Sequence, residues 1–119
     1  MLSEIIVAQK EEKYRRRWFE DDFFELIVWY DSNNAIYGFQ LCYPRYRDER
    51  ALTWNRDNGF AHEKIDDSRV FGSMPASAIL VPDGIFPADM VYFEFKKRSE
   101  KIDLEVAQFI LEKIQEYQT

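Results

Sequence analysis

From Asp22 to Tyr43 the chain alternates two β-favouring runs with one polar break. Asp22 to Tyr30 is rich in Phe, Ile, Val, Trp and Tyr, side chains that suit a packed, pleated surface. Asp31-Ser32-Asn33-Asn34 follows, four residues whose short polar side chains bond their own backbone and tolerate turn conformations. Ala35 to Tyr43 is again β-like, so the pattern predicts a hairpin. With Ser32 and Asn33 as a two-residue turn, Tyr30 pairs with Ala35, Val28 with Tyr37, Leu26 with Phe39 and Phe24 with Leu41. One face is then wholly apolar. The reverse face mixes Phe23, Glu25, Ile27 and Trp29 with Ile36, Gly38, Gln40 and Cys42, and is expected to be partly covered. Gly38 would lie across from Ile27, and a strand glycine marks a bulge or a close approach.

The pattern continues on both sides. Residues 1–12 hold Ile5-Ile6-Val7, which fits an edge strand or a short helix. Tyr14 to Glu20 mixes aromatics with arginines in an extended run. After Pro44 comes a charged connection from Arg45 to Arg50, then a strand from Ala51 to Asn55. Arg56-Asp57-Asn58-Gly59 is the strongest turn signal, and Phe60 to Ile65 returns as a strand. A two-residue Asn-Gly turn sets His62 across from Asn55, on the side of Phe60 and Lys64. Asp66 to Met74 reads as a long loop, and Ala78 to Val81 as a further short strand.

The period then changes. Pro87 suits the first turn of a helix, Asp89 favours the positive end of its dipole and Lys96-Lys97-Arg98 the negative end, which predicts a helix from about Ala88 to Arg98. Asp103 is placed to cap a last helix, in which Leu104, Ala107, Leu111 and Ile114 recur at spacings of three and four, flanked by Val106, Ile110 and Tyr117. The expected fold is α+β, one domain over 1–119: an antiparallel meander of four to five strands with two C-terminal helices packed on one face.

Composition narrows the function. Among 119 residues, 46% are hydrophobic and 17% aromatic, enough apolar surface to fold. No window reaches the roughly 20 apolar residues needed to cross a bilayer, and the acidic start does not resemble a signal peptide. The single Cys42 permits neither an intramolecular disulfide nor a multi-cysteine metal site, which fits a reducing cytoplasm. A net charge of −6 argues against a dedicated nucleic-acid binder. No metal and no cofactor is expected.

Arg16-Arg17-Trp18-Phe19, Asp22 to Tyr30, Gly38-Phe39-Gln40-Leu41-Cys42-Tyr43, Glu49-Arg50-Ala51-Leu52-Thr53-Trp54 and Gly59-Phe60-Ala61-His62 together resemble a group of small uncharacterised bacterial proteins. The resemblance covers most of the chain. It implies a bacterial, cytoplasmic origin and transfers no activity.

Three sets of residues can carry chemistry. Arg17, Arg45, Arg47 and Arg50, interleaved with Trp18 and Tyr43, can bind a carboxylate or phosphate and stack on planar groups; neighbouring Asp21, Asp22, Asp48 and Glu49 can equally pair with them as surface ions. His62, the one histidine, is the natural general acid or base, with Asp66 or Asp67 to orient it, although a lone strand histidine is more often a packing residue. The acidic pairs Asp21-Asp22, Asp48-Glu49 and Asp66-Asp67 can ligate a hard cation, yet read more simply as solvated turns. Cys42 reads as a buried, inert thiol. The leading expectation is a cytoplasmic protein-interaction or small-ligand-binding domain that uses this arginine/aromatic sheet surface, self-associating as a homodimer through its second sheet face and aromatic surplus. A small hydrolase or isomerase built on His62 is the alternative, and RNA contact through Arg15 to Arg17 a third.

Overall fold

A computed structural model describes residues 1–8, 14–45, 48–65, 80–82 and 86–118. Six antiparallel strands run as a meander: β1 (Ser3–Ile5), β2 (Arg15–Glu20), β3 (Glu25–Tyr30), β4 (Ile36–Tyr43), β5 (Arg50–Asn55) and β6 (Gly59–Ile65). A short β7 (Leu80–Pro82) pairs onto β6, extending the sheet to seven strands in sequence order. Two helices follow, α1 (Ala88–Arg98) and α2 (Leu104–Gln118). The α+β class and both helices match expectation. The four-to-five-strand count does not, because the N-terminal run pairs with β2 and the Leu80 segment with β6. The long loop expected over Asp66 to Met74 lies outside the described residues.

Both hairpins depart from the two-residue turns expected, for one physical reason. In the first, the Asp31 carboxylate accepts from the amides of Asn33 (2.8 Å) and Ala35 (3.1 Å), and Asn34 takes a left-handed φ of 63°. In the second, the Asn55 side chain accepts from the amides of Asp57 (3.1 Å) and Asn58 (2.8 Å), while Gly59 sits at φ 73°. Each loop therefore holds one residue more, a turn closed by a left-handed residue. The longer loop shifts the first register by one and the irregularity between Trp29 and Tyr30 by one more, so Leu26 pairs with Leu41, Val28 with Phe39 and Glu25 with Cys42, a slip of two that keeps the apolar face intact. His62 pairs with Leu52 rather than Asn55, an odd slip that carries it to the opposite face.

Gly38 stands across from Trp29, not Ile27, beside an irregularity in the β3–β4 ladder. A Cβ there would lie 2.6 Å from the Trp54 carbonyl oxygen and 2.8 Å from the Asn55 Cβ. The close neighbour is thus the adjoining strand itself. Gly38→Ala must push β4 from β5, and we expect a loss of about 1–3 kcal/mol in urea unfolding; an unchanged midpoint would show that the ladder gives way freely.

The core lies between one sheet face and the helices. Phe19, Leu26, Val28, Phe39, Leu41 and Leu52 meet Val91, Phe95, Val106, Ile110 and Ile114, all buried. Aromatic pairs join the layers: Phe24 on Phe95 (5.6 Å) and both Phe39 and Trp54 on Phe109 (6.4 and 5.5 Å). The Asp103 carboxylate accepts from the Glu105 amide at 2.9 Å and caps α2 as expected. The amide of Leu2 donates to the carbonyl of Arg98, which ties the N-terminus to the end of α1.

Candidate functional site

Strand alternation sends Trp18, Glu25, Ile27, Trp29, Gly38, Gln40, Cys42, Ala51, Thr53, Ala61 and Glu63 to the face opposite the helices. Its middle, around Ile27, Trp29, Gln40, Thr53 and Ala61, is uncharged and half-buried, while Arg16, Glu20, Glu25 and Glu63 stand nearer the ends and edges. Among the described residues, no helix covers this face.

The proposed ligand residues do not converge on that face. Trp18 lies on it, its indole N–H donating to Glu25 Oε2 at 3.3 Å. Arg17 points the other way, bound to Glu4 through two hydrogen bonds (2.8 and 2.7 Å), to Asp103 (3.1 Å) and to the Tyr30 hydroxyl (3.3 Å). These bonds, that to Glu4 foremost, raise the Arg17 pKa, and in return hold the Glu4 and Asp103 carboxyls below the ordinary carboxylate range. Arg45 is paired with Glu20 (2.8 Å) and donates to the Asp21 carbonyl (2.9 Å); Arg50 donates to the Asp48 carbonyl (3.0 Å). Arg47 lies outside the described residues. Tyr43 is 1% exposed, within the core.

His62 is buried at 5% exposure beside Tyr43, its Nε2 2.6 Å from the Tyr43 hydroxyl, with the edge of Phe86 at 5.0 Å. The imidazole thus lies in the layer between sheet and helices. Its intended partners Asp66 and Asp67 lie outside the described residues. Of the triple arginine, Arg15 packs over the Tyr30 ring at 4.6 Å and donates to Asn34, and Arg16 donates to the Ala8 carbonyl.

Two further features emerge. A cleft of about 310 Å³ opens at the hairpin end, lined by Tyr14, Asp31, Ser32, Tyr37, Arg56 and Asp57. Tyr14 and Tyr37 stack at 4.2 Å, the Tyr37 hydroxyl donates to Asp57 (2.7 Å), and Arg56 pairs with Asp31 (2.9 Å), so the polar groups of the cleft satisfy one another. At the other end of the sheet, Glu25, Cys42 and Glu49 bring a thiol and two carboxylates within 4.8 Å of one another. Burial, then the two carboxylates, push the Cys42 thiol well above its ordinary pKa. Sequence spacing hid this cluster, because the two-residue turn sets Glu25 across from Gln40.

Comparison with protein-family models, with curated proteins and with solved structures finds no match. No helix among the described residues is long and apolar enough to cross a membrane.

Proposed function

We propose that this chain is a self-associating interaction domain, with a second copy seated on the sheet face opposite the helices. The observation that carries the reading is the charge pattern of that face: an uncharged centre at Ile27, Trp29, Gln40, Thr53 and Ala61, with Arg16, Glu20, Glu25 and Glu63 around it. Interfaces share this anatomy of apolar core and polar rim. Strands spaced about 4.8 Å and rising about 3.3 Å per residue give the plate sides of roughly 25 and 20 Å. Its corrugated accessible area is comparable with the roughly 800 Å² per partner that a stable interface buries. Two such plates can pack face to face as sheets do, about 10 Å apart.

The free, buried Cys42 supports a reducing, cytoplasmic setting, and the resemblance to small bacterial proteins supports a bacterial one. A binding role is favoured over acid–base catalysis because His62 is buried beneath Phe86 and engaged by Tyr43, away from any solvent-side reactant.

Sedimentation equilibrium at micromolar concentration tests the reading. The wild-type chain is expected at twice its 14.4 kDa mass, and Ile27→Glu as a folded monomer, a burden of about 2 kcal/mol or more on association. A monomeric wild type, or an Ile27→Glu protein that remains dimeric, overturns the proposal.

A further inference from the structure

We propose that two copies of this chain meet on the open sheet face in one fixed orientation, with Arg16 of each copy set against Glu25 and Glu20 of the other. This orientation rests on the self-association proposed for that face and adds the residues that decide how the second copy sits. Charge placement, rather than the apolar centre, selects it.

The strand registers sort the face into rows that cross the sheet. Arg16 heads the row at the hairpin end, which runs through Trp29 and Gly38 to Asn55 and Gly59. Two rows away, Glu20 and Glu25 stand side by side and lead through Cys42 and Ala51 to Glu63. The row between them, from Trp18 to Ala61, carries no charge. Arg16 is thus the one cation among the face residues of β2 to β6, and the three glutamates lie at the opposite end, about 13 Å away along the strands. The plate is polar from end to end.

Two copies packed face to face are related by a two-fold axis lying in the interface. An axis along the strands keeps each row over its own counterpart and brings β2 over β6, so Glu63 meets Glu20 and Glu25 of the partner copy. A near-perpendicular crossing of the sheets stacks either Glu20 and Glu25 or Arg16 and Glu63 on their own counterparts. An axis across the strands exchanges the end rows and keeps β2 over β2. Arg16 then lies over the Glu20–Glu25 pair at two symmetric contacts, and Glu63 lies over Asn55 and Gly59. Of these arrangements, that one alone joins opposite charges without opposing like ones.

Sheets about 10 Å apart leave a gap that arginine and glutamate side chains can bridge from the two sides. The bonds these groups already make do not oppose it. Arg16 donates to the Ala8 carbonyl at 3.3 Å, Glu25 accepts from the Trp18 indole at 3.3 Å, and Glu20 holds Arg45 at 2.8 Å. Because Arg45 already offsets the charge of Glu20, Glu25 is the stronger counter-charge for Arg16.

The test is sedimentation equilibrium of charge-reversal variants, each checked for folding by circular dichroism. Arg16→Glu and Glu25→Arg should each weaken self-association about tenfold or more, since each opposes like charges at both symmetric contacts. An equimolar mixture of the two variants should form a heterodimer as tight as the wild-type dimer, because every contact in it again joins opposite charges. Such rescue requires the two chains to touch at these positions, which a merely structural role would not produce. Glu63→Lys should leave association unchanged. A dimeric wild type that neither reversal weakens, a mixture as weak as its components, or an altered affinity in Glu63→Lys overturns the orientation and leaves self-association standing. A monomeric wild type overturns both.

Discussion

Replacing Asp21 by Ala should destabilise the protein by about 3 kcal/mol, a larger loss than any ordinary surface substitution gives. Its side chain, 3% exposed, accepts from the amides of Phe23 (2.8 Å) and Phe24 (2.7 Å) and pairs with Arg98 at 3.0 Å. One carboxylate thus closes the β2–β3 turn and fastens the end of α1 to it. Without it, two turn amides lose their acceptor, while Arg98 keeps Asp22 and Glu94. Asp21→Asn retains an acceptor for the amides but loses the charge, and should cost roughly half as much.

The pH dependence follows from the same contacts. Burial alone raises the Asp21 carboxyl, but the Phe24 and Phe23 amides and the Arg98 guanidinium outweigh it, and the net shift is downward. A carboxyl depressed in the folded state contributes stability above its unfolded pKa of about 3.9, and that contribution is lost as pH falls through the lower folded value. Glu4 and Asp103 are shifted the same way by Arg17. Urea midpoints should therefore fall from about pH 4 downward, less steeply in Asp21→Asn than in the wild type. Equal slopes for the two proteins would remove Asp21 from the account.

The two hairpins show which part of this architecture is legible in the residues. The existence of β3, β4, β5 and β6 follows from their β-branched and aromatic runs, and the helices from charge polarity and the Leu104 to Ile114 stripe. What escapes is loop length, since Asp31 and Asn55 each use a side chain in place of a backbone acceptor and admit one more residue before the chain reverses. A slip of two in the first hairpin leaves Leu26, Val28 and Phe39 in the core but moves Glu25 from Gln40 to Cys42. There the fold survives the error and the candidate site does not. The odd slip in the second hairpin moves His62 from across Asn55 to across Leu52 in the core, which changes its chemistry from a candidate base to a buried partner of Tyr43.

The arginines fail to gather for a different reason. Arg17 on β2 meets Glu4 of β1 and Asp103 of the α2 cap, the latter 86 positions away in sequence. Neither partner is a sequence neighbour, so the acidic residues close to Arg17 in the chain are not the ones that neutralise it. Composition gives the balance of charge, and only topology assigns the pairs.

Topology also locates the most sensitive contact between sheet and helices. Phe39 is fully buried on β4, stacked on Trp54 at 6.3 Å and met edge-on by Phe109 of α2 at 6.4 Å. Phe39→Ala removes a ring from a site closed on one side by hydrogen-bonded strands and on the other by α2. Neither wall can collapse far, so transfer and cavity terms add, and the expected cost is about 3–5 kcal/mol in urea unfolding. Trp54 provides a second readout, since it packs on Phe39, Phe109 and, through a cation–π contact of 4.1 Å, on Lys113. With Phe39 gone its indole should gain solvent, and the native fluorescence should shift to the red while Phe23→Ala, at the far corner, leaves that component in place. A Phe39→Ala protein with wild-type stability would mean that α2 is not held to the sheet through this aromatic cluster.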